Sequence, residues 1–434
     1  MVGLGAKRSF LFLQGLATPF WVRLAREVEN RGHSVHRINF CGGDRIFWPR
    51  LGAVDYRGPF TQWREFLGAF LHETCVTDIV LFGDCRPYHR VAMDLARSRG
   101  IAVHVFEEGY FRPEWITLER NGTNAYSSLP RDAASFRAEL AKSDFPEESP
   151  RPVSGGFSRR VRWEILNQIG TLLLAPLYPH YRRHRAHHPL SEMTGWLKRL
   201  GKRPYERRFA GRVAHYLAEA GRPYYLLPLQ LETDYQIRRH SPFRSMANVM
   251  EVTMESFARK APKNSVLVVK LHPLDNGLVN FRRQAIRISR RLGLTDRVYV
   301  IDGGHLPTLL SRCQGVVVVN STSGLSALHH GRPVKALGKA VFDIPGLTFQ
   351  GSLDRFWQEK PRPDQDLFRA FRSVVLRRAQ VNGSFFTETG IALALEGVLD
   401  RMSVASVAGQ AAILTRAKLD AAEMAAAKSA VLLR

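Results

Sequence analysis

Short apolar runs alternate with stretches of helical periodicity along most of the chain, and this alternation predicts parallel sheets wrapped by helices. Ser9–Gln14 (SFLFLQ) reads as a buried strand, Phe20–Arg31 has apolar residues at helical spacing, and Gly32 closes that helix before a strand over Ser34–Phe40. A strand over Asp78–Phe82 then ends at Gly83-Asp84, a helix covers Tyr88–Arg99, and a strand over Ile101–Phe106 runs into two adjacent acids, Glu107 and Glu108. From about 140 to 205 the rhythm breaks into a basic segment rich in Pro, Ser and His, with one helical piece around Arg160–Leu174. It resumes with strands over Tyr224–Leu229, Ser265–Leu271, Val298–Ile301, Gly315–Val319 and Pro333–Leu337. Helices are predicted over Phe209–Ala220, Met246–Lys260, Phe281–Leu292 and Gly324–His330, and the alanine-rich end, Ala405–Arg434, reads as helical.

At 434 residues the chain is longer than one hydrophobic core usually serves. The predicted fold class is therefore α/β, with two Rossmann-like, doubly wound domains facing a central cleft. Residues 1–205 form the first domain, its part from 140 to 205 an irregular basic segment, part helix and part linker; residues 206–390 form the second, and 391–434 a helical tail.

Lysine and arginine number 63 against 39 acids, giving a net charge of +24. Such a field attracts polyanions or an anionic membrane surface. No zinc-finger, RRM or basic-zipper pattern accompanies it, so nucleic acid is not the expected partner. The four cysteines form no CxxC pair, which fits reduced thiols in the cytoplasm. No signal-peptide order and no apolar run of spanning length occur, so any membrane contact is expected to be peripheral.

Candidate chemistry gathers at strand ends, where open α/β sheets hold their ligands. "VVKLHPLDNG" sets His272 and Pro273 after a strand, placing an imidazole to donate to a phosphate or a leaving oxygen. In "VVVVNSTSGLSALHHG" a buried strand runs into Ser321, Thr322, Ser323 and Gly324, hydroxyls and backbone N–H groups suited to an anion; ordinary helix capping is the plain alternative. Gln230 and Asp234 follow another strand end and suit substrate positioning, Asp234 serving equally well as a cap. There is no P-loop and no GxGxxG. Glu107 and Glu108 stand on an extended strand, so only one faces the ligand side and the other is expected to make structural bonds, Arg112 being at hand. A carboxylate in such a cleft can attack an anomeric carbon and be displaced in turn. His184, His187 and His188 are too loosely placed in a basic stretch to argue for zinc, and no metal or resident cofactor is expected.

The segments "LFLQGLATPFWVRLAREVENRGHSVHRINFCGGD", "LFGDCRPYHRVAMDLARSRGIAVHVFEEGYFRPEWITLERNGTNAYSSLPRD" and "NSTSGLSALHHGRPVKALGKAVFDIPGLTFQGSLDRFW" resemble the bacterial capsule polysaccharide biosynthesis/export proteins of the KpsS/LipB type, over about residues 10 to 360. The resemblance implies a GT-B-like fold and a retaining β-Kdo transferase that uses CMP-Kdo as donor substrate. The implied acceptor is lysophosphatidylglycerol at the inner face of the cytoplasmic membrane, where the Kdo linker of a capsular polysaccharide begins. A KpsC-like transferase and the capsule export complex are the implied partners. Carried onto this sequence, the acidic-Gly motif makes Glu107 or Glu108 the nucleophile, with Glu108 preferred. The HP motif puts His272 and Pro273 on the CMP phosphate, and the Ser/Thr cradle falls on Ser321, Thr322 and Ser323. Two other readings fit the same residues: a two-domain transferase with another nucleotide donor, and a non-catalytic export protein that binds anionic polysaccharide.

Overall fold

The structure, a computed structural model, describes residues 7–142, 150–153, 156–183, 189–232 and 241–402. Its contacts divide the chain into two compact α/β units, and the path between them is not linear. The first unit comprises residues 1–123, 150–182 and 380–434, and the second residues 124–149 and 183–379.

The first unit holds a seven-stranded sheet. Its strands are β1 (Ser9–Phe12), β2 (Ser34–Asn39), β3 (Val54–Asp55), β4 (Asp78–Phe82), β5 (Ala102–Glu108), β6 (Trp115–Arg120) and, from the far end of the chain, β12 (Gln380–Asn382). The spatial order is β12-β6-β5-β4-β1-β2-β3, with β5 through β3 parallel and β6 and β12 antiparallel. The parallel strands are apolar on both faces because helices cover both: Phe10, Phe12, Val80 and Phe82 enter one buried cluster, Leu11, Ile79 and Leu81 another.

The second unit holds five parallel strands in the order β11-β10-β7-β8-β9. These are β7 (Tyr224–Pro228), β8 (Val266–Lys270), β9 (Val298–Ile301), β10 (Gly315–Val318) and β11 (Val334–Ala336). In both sheets the chain starts in the middle, runs to one edge, and returns to continue on the other side. Each sheet thus has a switch point, between β1 and β4 in the first and between β7 and β10 in the second, where neighbouring crossovers leave in opposite directions.

The two-unit α/β plan agrees with the sequence reading, but its boundaries do not. The helical piece expected around Arg160–Leu174 is the helix Phe157–Leu173 of the first unit, whereas the end of the expected linker begins a long helix of the second, Pro189–Glu219. The expected tail is in part core: the helical stretch 388–402 packs Ile391, Ala394, Val398, Leu399 and Met402 against Phe20, Trp21 and Phe106. The strand β12 explains this return, because its pairing with β6 extends the first sheet by a segment remote in sequence. Residues 403–434 lie outside the described residues. Among the described residues no helix is long and apolar enough to cross a membrane.

Candidate functional site

In the second unit the switch point is closed by two side chains. Gln230, two residues past β7, donates from Nε2 to Asn320 Oδ1 at 2.9 Å, and the Asn320 N–H donates to Gln230 Oε1 at 3.3 Å. That exchange fixes the start of the Asn320–Ser323 turn. Ser323 N–H donates to Ser321 Oγ at 3.2 Å, the Ser321 and Ser323 hydroxyls lie 3.2 Å apart, and Gly324 N–H donates to the Ser321 carbonyl at 2.9 Å. Three half-buried hydroxyl residues, Ser321, Thr322 and Ser323, therefore cluster at the carboxyl end of β10. Gly324 has a packing reason of its own: a Cβ there would stand 2.7 Å from the Phe342 ring.

His272 follows β8, the strand next to β7. Its Nδ1 accepts the Leu274 N–H at 3.1 Å, so in the neutral ring the proton resides on Nε2, which becomes a donor. The loop behind it is clasped by Arg199, from the helix Pro189–Glu219. Arg199 binds both carboxylate oxygens of Asp302, Nε to Oδ2 at 2.7 Å, and donates to the carbonyls of His272 (3.0 Å), Pro273 (3.1 Å) and Asp275. A planar fork that binds a carboxylate and three carbonyls holds a loop in a way a lysine cannot. Lys270, two residues before His272, is buried; burial pushes its pKa down, Asp302 opposes that, and Arg199 adds to it. Beyond the carboxyl end of β11 lies a hollow of about 400 Å³ lined by Ser241, Pro242, Ala336, Leu337, Gly338, Lys339 and Asp343, within the size range of small-molecule sites.

In the first unit Glu107 and Glu108 are the last residues of β5, paired with Thr117 and Ile116 of β6 rather than following the strand as expected. Their side chains diverge. Glu108 is held by two arginines, Oε2 to Arg112 at 2.6 Å and Oε1 to Arg160 at 2.5 Å. Glu107 leans toward β4, its Oε1 3.4 Å from where a Cβ on Gly83 would stand. Gly83 has φ +79°, a left-handed conformation that lets the chain leave β4 sharply and that favours glycine. Beside it Arg86 donates to Gln14 Oε1 at 3.1 Å and to the Gly15 carbonyl at 3.3 Å, bridging the switch point between β4 and β1. Gly109, which follows Glu108, is required sterically, since a Cβ there would meet the Trp115 carbonyl oxygen at 1.9 Å.

The structure thus gathers His272, Pro273, Gln230 and Ser321–Ser323 at one sheet edge, and Glu107, Glu108 and Arg112 at the edge of the other sheet. Asp234 and the histidines 184, 187 and 188 lie outside the described residues. Arg199, Arg160, Arg86 and Asn320 were given no role at the site from the sequence. Of these only Asn320 carried a local signal, standing first in the NSTSG turn.

Residues 77–386 match the family described as "Capsule polysaccharide biosynthesis protein". The chain is 37% identical over 395 residues to the capsule polysaccharide modification protein LipB of Neisseria meningitidis, covering 89% of this chain and 93% of that one. It is 36% identical over 383 residues to the capsule polysaccharide export protein KpsS of Escherichia coli, covering 87% and 97%. A solved structure described as Thermosulfurimonas dismutans KpsC, beta Kdo 2,7 transferase, aligns at 13% identity and a TM-score of 0.43, over 91% of this chain and 99% of that one. With most of its length matched by the family and by both curated relatives, this chain belongs to the capsule polysaccharide biosynthesis protein family.

Proposed function

We propose that this chain is a retaining glycosyltransferase of capsule polysaccharide biosynthesis, which transfers β-Kdo from CMP-Kdo to lysophosphatidylglycerol and so begins the linker of a capsular polysaccharide. The observation that carries the reading is at the carboxyl edge of the second sheet, where the His272 Nε2 donor and the Ser321–Ser323 hydroxyls follow β8 and β10, the two parallel strands that flank β7, a placement that phosphate ligands use in doubly wound sheets. Family membership and the capsule-related names of the relatives support the biological setting.

The role proposed for the second unit is to hold the donor, the CMP phosphate at His272 and the hydroxyls, the nucleoside in the hollow beyond β11. An Nε2–H donor and hydroxyls stabilise the negative charge that grows on the departing phosphate oxygen. The role proposed for Glu107 is attack on the anomeric carbon of Kdo. The carboxylate forms a C–O bond as the bond to CMP breaks; the acceptor hydroxyl, losing its proton, then attacks the same carbon and releases the carboxylate. Two inversions leave the configuration retained. Glu108, bound by Arg112 at 2.6 Å and Arg160 at 2.5 Å, is the alternative nucleophile, and the variants of the two residues decide between them. The protein acts as a peripheral protein at the inner face of the cytoplasmic membrane, where a second Kdo transferase and the export complex take over its product.

Incubation with CMP-Kdo and a fluorescent lysophosphatidylglycerol tests this, with the product read by mass spectrometry and its anomeric configuration by NMR. The reading requires a β-linked Kdo product. No product, together with thermal stabilisation by a different nucleotide, would assign another donor; no product and no nucleotide binding would leave the polysaccharide-binding reading.

A further inference from the structure

The helix Phe157–Leu173 has two unlike faces. Its inner face is fixed by close backbone approach: a Cβ on Gly42 would stand 2.1 Å from the Gly170 carbonyl oxygen, and one on Gly43 2.0 Å from Asn167 Oδ1. The inner-face positions Asn167, Gly170, Thr171 and the capping Leu174 follow helical spacing, so the opposite face is determined as well. That outer face carries Ile165, Leu166, Ile169, Leu172 and Leu173, which are 48%, 47%, 42%, 37% and 71% exposed. Their i, i+1, i+4, i+7, i+8 spacing makes one continuous apolar stripe, which a helix of a soluble protein ordinarily turns inward. Leu177, also exposed, continues it past the helix end. A patch of this kind marks an interaction surface.

Charge identifies the partner. Between residues 157 and 183 the chain has arginines at 159, 160, 162, 182 and 183 and a single acid, Glu164. Arg162 is exposed and shares the outer face with the leucines and isoleucines. Seventeen residues span about 25 Å along the helix axis, and no described helix is long and apolar enough to cross a membrane. An apolar stripe that shares its face with Arg162, in a segment of five arginines and one acid, suits a helix that lies in the plane of an anionic bilayer surface.

We propose that the outer face of the helix Phe157–Leu173 is the membrane-docking surface of this protein, with Ile165, Leu166, Ile169, Leu172 and Leu173 in the headgroup region and Arg162 on anionic headgroups. This rests on the peripheral-membrane part of the function proposed above and gives it a location. The same helix supplies Arg160, which pairs with Glu108 at 2.5 Å, so docking seats the carboxylate end of β5 beside the surface that carries a lipid acceptor.

The test uses the full chain and sedimentation with vesicles of mixed phosphatidylglycerol and phosphatidylcholine, or of phosphatidylcholine alone. The wild type is expected to bind the anionic vesicles selectively, and the Ile169→Asp/Leu173→Asp double variant to lose about tenfold or more in partitioning while its melting temperature is unchanged. Arg162→Glu, which leaves the apolar stripe intact, loses less and makes the remaining binding less salt-sensitive. Equal binding by the double variant overturns the proposal. So does an oligomeric wild type that the double variant dissolves, because the stripe is then a subunit interface. Transfer to a short-chain acceptor held below its micellar concentration separates this from the functional reading: the double variant retains it. If the wild type docks as stated yet transfers to no acceptor, the transferase reading falls and the docking surface stands.

Discussion

Gln230 and Asn320 exchange hydrogen bonds across the gap between β7 and β10, side-chain amide to side-chain carbonyl in one direction and backbone N–H to side-chain carbonyl in the other. The pair ties two crossover loops together at the point where the second sheet changes direction, and it sets where the Ser321–Ser323 hydroxyls stand. Gln230→Leu keeps the size of the side chain and removes both bonds. It is expected to cost about 1–2 kcal/mol of stability, read by urea unfolding. It should also weaken protection by CMP about tenfold in a thermal-shift titration, and an undiminished CMP effect would remove Asn320–Ser323 from the donor site.

Glu107 and Glu108 are predicted to separate in their phenotypes. Glu107→Gln should lower turnover by on the order of a thousandfold with little change in melting temperature, because it removes the attacking group. Glu108→Gln leaves Arg112 and Arg160 without their shared anion, which costs about 1 kcal/mol for a pair of this exposure, and most turnover survives. Parallel initial-rate and melting measurements on the two variants decide the assignment, and a reversed pattern restores Glu108.

Arg199 touches no predicted substrate; it positions His272 through the loop's carbonyls. Arg199→Lys keeps the charge and loses the fork, so kcat/KM for the donor is expected to fall about tenfold, mostly through KM. His272→Gln, which retains an N–H donor, should keep more activity than His272→Asn, whose shorter side chain retains the acceptor near Nδ1 but not the reach of Nε2. A simple stability defect at Arg199 would lower active protein and leave KM unchanged.

His89 supplies a pH prediction. Burial pushes its pKa down to about 3, the Arg86 charge adds to this, and the hydrogen bond from Nδ1 to the Gly83 carbonyl at 2.7 Å opposes it. The folded chain therefore keeps this imidazole neutral while the unfolded chain protonates it below its ordinary value of 6.5. The associated stability is complete above that pH and is lost as pH falls from there toward 3, at about 1.4 kcal/mol per pH unit for one proton. Urea midpoints at pH 7.5, 6.5 and 5.5 should fall more steeply for the wild type than for His89→Gln. Parallel curves would mean that His89 does not contribute.

Much of this was legible in the sequence because parallel strands covered on both faces read as uninterrupted apolar runs, and because ligand groups of such sheets follow those runs directly. His272 after VLVVK and the hydroxyls after GVVV are of this kind. The antiparallel additions were not legible: β12 is three residues long, and its value lies in pairing with a strand far away in the chain. Arg160 and Arg199 were hidden for a related reason. Each lies on a helix in a stretch whose composition resembles a linker, and only folding brings it to Glu108 or to the His272 loop. The paired glutamates showed their alternation in the sequence, but not that the arginines would take Glu108.

The most direct measurement is peptide mass spectrometry after rapid quenching of the protein with CMP-Kdo in the absence of acceptor. The account predicts a single Kdo adduct on Glu107, missing in Glu107→Gln and discharged when lysophosphatidylglycerol is added. An adduct on another residue, or steady turnover with no adduct and a product of inverted configuration, would contradict it.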